Sequence, residues 1–165
     1  MMKKKICMLG AFAVGKTSLV RRFVKSIFSE KYKTTIGVKI DKKTVTYNGG
    51  EIDLVLWDLP GEDDFQSIQI SYLRGTSGYL LVVDSTRKST LDKAFEIKKN
   101  VEAIIDKVPF VMVINKSDLT DEYDFEPDTL ESLEESGISL VKTSAKTGDG
   151  VEEAFSTLTG MMLSK

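Results

Sequence analysis

Gly10-Ala11-Phe12-Ala13-Val14-Gly15-Lys16-Thr17 has the residue types and spacing GxxxxGK[ST] of a turn that cradles phosphate. Its glycines let the backbone curl until successive N–H groups point at one anion. Gly10 opens the turn, and the groups that follow belong to Ala13, Val14, Gly15, Lys16, Thr17 and Ser18. A helix starting there adds the positive end of its dipole. Lys16 can reach terminal phosphates, and the Thr17 hydroxyl can ligate Mg²⁺. From average residue usage, a chance match in a chain this size is about one in a hundred.

A second group lies a hundred residues on. The apolar run Val108–Ile114 ends in Asn115-Lys116-Ser117-Asp118. The Asp118 carboxylate can accept hydrogen bonds from the N1–H and N2 amino group of guanine. Adenine lacks that amino group, so a carboxylate here selects guanine. Asn115 can tie loops together around the base, and the Lys116 stem can cover its face. Further on, Ser144-Ala145-Lys146 can offer the Ala145 N–H to guanine O6. Between these groups, Asp58-Leu59-Pro60-Gly61 supplies a carboxylate that can hold Mg²⁺ through water, and a Gly61 N–H for a terminal phosphate. A Thr hydroxyl from Tyr32-Lys33-Thr34-Thr35-Ile36-Gly37 can complete a metal shell once a third phosphate is present, although taken alone this stretch reads better as a flexible polar loop.

These groups need a scaffold that brings strand ends to one rim. Short apolar runs alternate with helical patterns, as in a mostly parallel sheet covered on both faces. Strands are expected at Ile6–Leu9, Ile52–Trp57, Tyr79–Asp84, Phe110–Asn115 and Ser139–Thr143, with a hairpin at Asn48-Gly49-Gly50. Helical stripes run through Leu19, Val20, Phe23, Val24 and Ile27, and through Leu91, Ala94, Phe95, Val101, Ile104 and Ile105. Others are expected from about Pro127 to Ser136, and through Val151, Ala154, Phe155, Leu158, Met161 and Met162. The expected fold is α/β, with six strands, one antiparallel edge and five helices on both faces. Residues 1–165 are expected to form one domain.

With its five nucleotide motifs in order, the sequence resembles a small GTPase of the Ras superfamily over residues 3–163. Trp57-Asp58, Phe65-Gln66-Ser67-Ile68 and Ser71-Tyr72-Leu73-Arg74-Gly75 resemble the Rab branch. The resemblance implies a P-loop GTPase domain that switches between GTP and GDP states with Mg²⁺. It implies two switch loops, about residues 30–39 and 60–74, that meet effectors and regulators. By position, Thr17 and Thr35 match the family's metal ligands, with Asp58 beside them. Phe28 matches the aromatic that packs on the base, and core packing is the equal alternative. Tyr32 matches the aromatic that covers the phosphates. Lys16, Thr35, Gly61 and Glu62 stand where catalysis occurs.

Three residues depart from that pattern. Glu62 stands where family members usually carry Gln. An ionised Glu only accepts hydrogen bonds, and it adds negative charge beside phosphate. Pro60 removes a donor and stiffens the second switch. Phe12 replaces a small residue, and its ring either crowds an arginine finger or simply shields the site. The expectation is slow intrinsic hydrolysis and resistance to an arginine finger, a group worth about 10³–10⁵ in rate. Glu62 and Phe12 also fit a nucleotide-binding interaction module with little or no hydrolysis. A GTPase domain of a larger protein is a further alternative. The Asn115–Asp118 tetrad disfavours an ATP-specific phosphotransferase.

Composition narrows the chemistry. The chain has no His, which excludes Ser-His-Asp and Cys-His nucleophiles and HExxH metal sites. Its one Cys, Cys7, excludes an intrachain disulfide. Net charge is −2, yet residues 1–43 hold 12 basic and 2 acidic side chains around the phosphate loop. Residues 118–135 hold nine acidic and no basic side chains, read as a solvated face. No run is long enough to span a membrane, and neither a myristoylation Gly nor a prenylation Cys is seen. A cytoplasmic monomer is expected, with no lipid anchor encoded in this stretch and no nucleic-acid partner.

Overall fold

Runs of Val, Ile, Leu and Met without polar alternation are stable as strands only when both faces are covered. The computed structural model, which describes residues 2–25, 38–59 and 70–164, places these runs side by side. Strands β1 (Met2–Gly10), β3 (Gly50–Asp58), β4 (Thr76–Asp84), β5 (Phe110–Asn115) and β6 (Leu140–Lys142) are parallel. Strand β2 (Lys39–Tyr47) pairs antiparallel with β3 at the sheet edge, giving the order β2-β3-β1-β4-β5-β6. Five α-helices complete the described residues: α1 (Lys16–Lys25), α2 (Ile70–Leu73), α3 (Ser89–Ile104), α4 (Pro127–Glu135) and α5 (Val151–Leu163).

Side-chain alternation along the strands divides the core in two. Ile6, Met8, Leu54, Leu56, Leu80, Val82, Val111 and Val113 pack with α1 and α5. Cys7, Leu9, Tyr79, Leu81, Val83, Met112 and Ile114 pack with α3. Each fully buried aliphatic side chain contributes about 1.5–3 kcal/mol. Phe23 of α1 stacks on Phe155 of α5, with centroids 3.9 Å apart. The α3 stripe also includes Ile97, which fits the same period as Ala94 and Val101 and is fully buried. Helix α4 has Pro127 in its first turn and no fully buried residue. Leu130 and Leu133 tie it to the core, and its acidic side faces water.

Element ends differ from hydrophobicity alone. Strand β1 begins at Met2 because Met2 to Lys5 pair with Ile52 to Val55 of β3, and ladder bonds do not require apolar side chains. Strand β4 likewise begins at Thr76, opposite Lys5. Strand β6 is shorter than its apolar run. The hairpin turn is as expected: Asn48 and Gly49 both have positive φ, 51° and 80°, as a two-residue type I′ turn requires. Among the described residues, no helix is long and apolar enough to cross a membrane.

The register brings chemistry to one rim. Met8 pairs with Asp58, Gly10 with Val82, Asp84 with Asn115 and Ile114 with Lys142. The carboxyl ends of five parallel strands therefore lie together. Strand β1 sits between β3 and β4, a topological switch point where open α/β sheets bind ligands.

Candidate nucleotide site

The phosphate loop leaves β1 at Gly10 and enters α1 at Lys16. Gly10 is required by close approach: a Cβ there would lie 2.6 Å from the Val82 carbonyl oxygen. Gly15 has φ +103°, and its Cβ would collide with Asn115 Nδ2. Ala13 is held in the left-handed region at φ 61°. Lys16, only 4% exposed, donates to the carbonyls of Gly10 and Ala11, both at 3.3 Å. These contacts arch its side chain back over the loop. The Thr17 hydroxyl, in the first turn of α1, donates to Asp58 Oδ2 at 2.5 Å. Both residues are buried, so two oxygen groups, one from the start of α1 and one from the end of β3, share one point beside the loop.

Asn115 ends β5 and bridges three elements. Its Nδ2 donates to the Val14 carbonyl at 3.0 Å, and its Oδ1 accepts from Thr143 Oγ1 at 3.0 Å. Lys116, with φ 62°, sends Nζ to the Ala13 carbonyl at 3.3 Å and to Asp84 Oδ2 at 2.8 Å. Its charge therefore serves the phosphate loop and the buried Asp84 carboxylate. Asp118 is exposed at the rim, with Oδ1 accepting from Ser144 Oγ at 2.8 Å. The Ser117 N–H reaches the Thr143 carbonyl at 2.9 Å. Three loops from β1, β5 and β6 thus hold one another through reciprocal hydrogen bonds.

Three contributors escaped the sequence reading. Arg22 of α1 donates through Nε to the Ala145 carbonyl at 2.7 Å, and through Nη2 to the Lys146 carbonyl. Asp84, fully buried at the end of β4, accepts from Lys116, from Arg87 Nε at 3.0 Å and from Thr86 Oγ1 at 2.6 Å. Burial opposes its ionisation. The bonds from Lys116, Thr86 and Arg87 outweigh burial and hold its carboxyl below the usual value. Arg87 Nη2 also donates to the Phe12 carbonyl at 2.8 Å. A carboxylate closing an apolar run was a visible signal for Asp84; nothing in the local sequence marks the two arginines.

Of the expected site residues, the structure brings together Gly10, Ala13, Val14, Gly15, Lys16, Thr17, Ser18, Asp58, Asn115, Lys116, Asp118, Ser144, Ala145 and Lys146. Phe12 belongs to the same loop, with its residue 45% exposed. Phe28, Tyr32, Thr35, Pro60, Gly61 and Glu62 lie outside the described residues.

The sequence model of the Ras family matches residues 5–164. The chain belongs to the Ras family. Its relatives are Rab-type. The chain is 37% identical to Ras-related protein SEC4 of Saccharomyces cerevisiae, over 98% of this chain and 75% of the yeast protein. It is 34% identical to Ras-related protein Rab-4 of Dictyostelium discoideum, over 98% of this chain and 80% of that protein. Human Ras-related protein Rab-8B is 33% identical, over 98% and 79% respectively. The Ras-family chain described here is a small GTPase, which binds GTP, hydrolyses it and acts as a molecular switch.

Proposed function

We propose that this Ras-family chain is a Mg²⁺-dependent GTP switch with slow intrinsic hydrolysis, held to guanine by Asp118 and the Ser144–Lys146 loop. The observation that carries the reading is the mutual bonding of the three loops. Asn115 holds the phosphate loop, Thr143 holds Asn115, and Ser144 holds the Asp118 carboxylate. The arrangement presents one carboxylate and the Ala145 backbone at a single rim, where a guanine offers two donors and O6.

Thr17 and Asp58 suit Mg²⁺ because both offer hard oxygen and are already in contact. Nucleotide and water oxygens, joined by the Thr35 hydroxyl once a third phosphate is present, would fill the rest of the shell. When bound, the ion neutralises charge on the outer phosphates. Lys16 places a second positive charge against the outer phosphates as the terminal bond breaks. Backbone N–H groups of Ala13 to Ser18 meet the same oxygens. They cost no reorganisation, because the loop is fixed before substrate arrives. Thr35 and Gly61 act from the two switch segments, and protein effectors and regulators engage residues 30–39 and 60–74.

Slow turnover follows from the attacking water. With no His in the chain, Glu62 is the side chain assigned beside that water. A carboxylate there accepts a proton but cannot also donate to the phosphate, and its charge opposes the nearby anion. Phe12, half-exposed on the same loop, would crowd an approaching arginine finger, with simple shielding of the site as the equal alternative. Nucleotide extraction from the purified protein, followed by single-turnover hydrolysis, tests the reading. GDP or GTP should be recovered, and Glu62→Gln with Phe12→Gly should hydrolyse faster than the parent. A parent already as fast as the double variant removes the claim of slow turnover.

A further inference from the structure

Three consecutive carbonyls of the phosphate loop are each held by a side chain from another part of the chain. Arg87 Nη2 holds Phe12 O at 2.8 Å, Lys116 Nζ holds Ala13 O at 3.3 Å, and Asn115 Nδ2 holds Val14 O at 3.0 Å. A trans peptide is planar, with its C=O and N–H on opposite sides. Holding each carbonyl outward therefore aims the next N–H inward. Those N–H groups belong to Ala13, Val14 and Gly15, three successive donors of the cradle.

Two of the three holders, Asn115 and Lys116, belong to the base tetrad. Arg87 belongs to no nucleotide motif. It lies just after β4 and is anchored by Asp84, which accepts from Arg87 Nε at 3.0 Å and from Lys116 Nζ at 2.8 Å through the same Oδ2. One buried carboxylate thus steadies the holders of two adjacent peptides. The peptide that Arg87 holds leads into Ala13, whose φ of 61° is unfavourable for a residue with a Cβ. A peptide beside a strained residue tends to rotate unless its carbonyl is fixed.

We propose that Arg87, anchored on Asp84, is a positioning residue of the phosphate loop, fixing the Phe12–Ala13 peptide so that the Ala13 N–H faces the outer phosphates. The inference rests on the guanine-nucleotide reading of this site. It separates a clamp on the loop from general stabilisation, because the loop backbone serves the outer phosphates of a nucleotide. GMP lacks those phosphates.

The test is competition of GDP and of GMP against fluorescent GDP on the full chain with Mg²⁺ present, for the parent, Arg87→Gln and Arg87→Lys. Arg87→Gln should lose about tenfold in GDP affinity, the scale of one charge-assisted hydrogen bond. Its GMP affinity should stay within about twofold of the parent, since the bond acts on the loop alone. Arg87→Lys, which keeps a single cationic donor, should recover part of the GDP loss. An unchanged GDP-to-GMP ratio in Arg87→Gln overturns the inference, whether neither affinity changes or both fall together. A parent that binds neither nucleotide overturns the site reading and this inference with it. A parent that prefers GDP, with an unaltered ratio in the variant, overturns this inference alone.

Discussion

Arg22 Nε lies 2.7 Å from the carbonyl oxygen of Ala145, although 123 residues separate them in the chain. The same guanidinium reaches the Lys146 carbonyl, so one rigid fork spans two consecutive peptides of the base loop. Helix α1 begins at the phosphate loop, and Arg22 carries that helix to the guanine end of the site.

Arg22→Gln should loosen the base loop and speed nucleotide release. Two charge-assisted bonds are lost, but the side chain is partly exposed and water replaces some of their strength. The expected rise in GDP dissociation rate is about tenfold, equivalent to about 1.4 kcal/mol. Release of a fluorescent GDP analogue measures it. A rate equal to the parent's would mean that the Ala145 loop holds its shape without α1.

Asp118→Ala should abolish the preference for guanine over hypoxanthine. Hypoxanthine keeps N1–H and O6 but lacks the N2 amino group, so only guanine offers the carboxylate its second donor. A hydrogen bond to a charged group is worth about 1.5–3 kcal/mol, so GDP binding should fall by about 10² or more. IDP should fall less, and the GDP-to-IDP ratio should approach one. Competition binding with the two diphosphates reads this ratio. A preserved ratio would place guanine recognition elsewhere.

Much of this site was legible because motif spacing and strand ends agreed. Gly10 to Thr17, Asp58, Asn115 to Asp118 and Ser144-Ala145 each follow an apolar run, and the parallel register then puts them on one rim. The sheet was legible for the same reason, since unalternating Val and Leu runs require two covered faces. Arg22 and Arg87 were not legible. Their long side chains reach carbonyls whose positions exist only once α1, β4 and β6 have packed. Ionisable residues of that length are normally read as solvated surface. The turn of Thr120–Glu122 inside the acidic stretch was equally hidden, because nothing apolar marks it.

Asp84→Asn should expose the coupling between charge and stability. In the native protein the Asp84 carboxyl titrates below its ordinary value, against burial, because Lys116, Thr86 and Arg87 donate to it. A depressed native pKa gives stability that is fully present above the unfolded value of about 3.9 and is lost as pH falls through the native value. Removing one partner of a buried ion pair costs about 3–5 kcal/mol. Lys116 and Arg87 have side chains 35% and 40% exposed, so the expected loss at pH 7 is nearer 2–3 kcal/mol, a sizeable part of a domain's margin of about 5–15 kcal/mol. Urea unfolding across pH should show a parent–variant gap that is constant from about pH 7 to 5 and narrows below about pH 4. A gap independent of pH would show that Asp84 acts by shape alone.

Thr17 and Asp58 set the expected response to metal removal. Their oxygens are 2.5 Å apart and buried at the start of α1, so one Mg²⁺ bound there would link α1, β3 and the outer phosphates. EDTA should therefore accelerate GDP release from the parent by at least about tenfold, since bound metal adds to nucleotide affinity by mass action. Thr17→Ala loses the hydroxyl ligand but leaves Lys16 and the loop backbone in place. Its GDP release should already be fast in Mg²⁺, and EDTA should change it by less than about twofold. Measuring both rates on one protein preparation keeps folding out of the comparison, because a merely unfolded variant would retain no nucleotide to release. Equal sensitivity of parent and Thr17→Ala to EDTA would move the metal away from this pair.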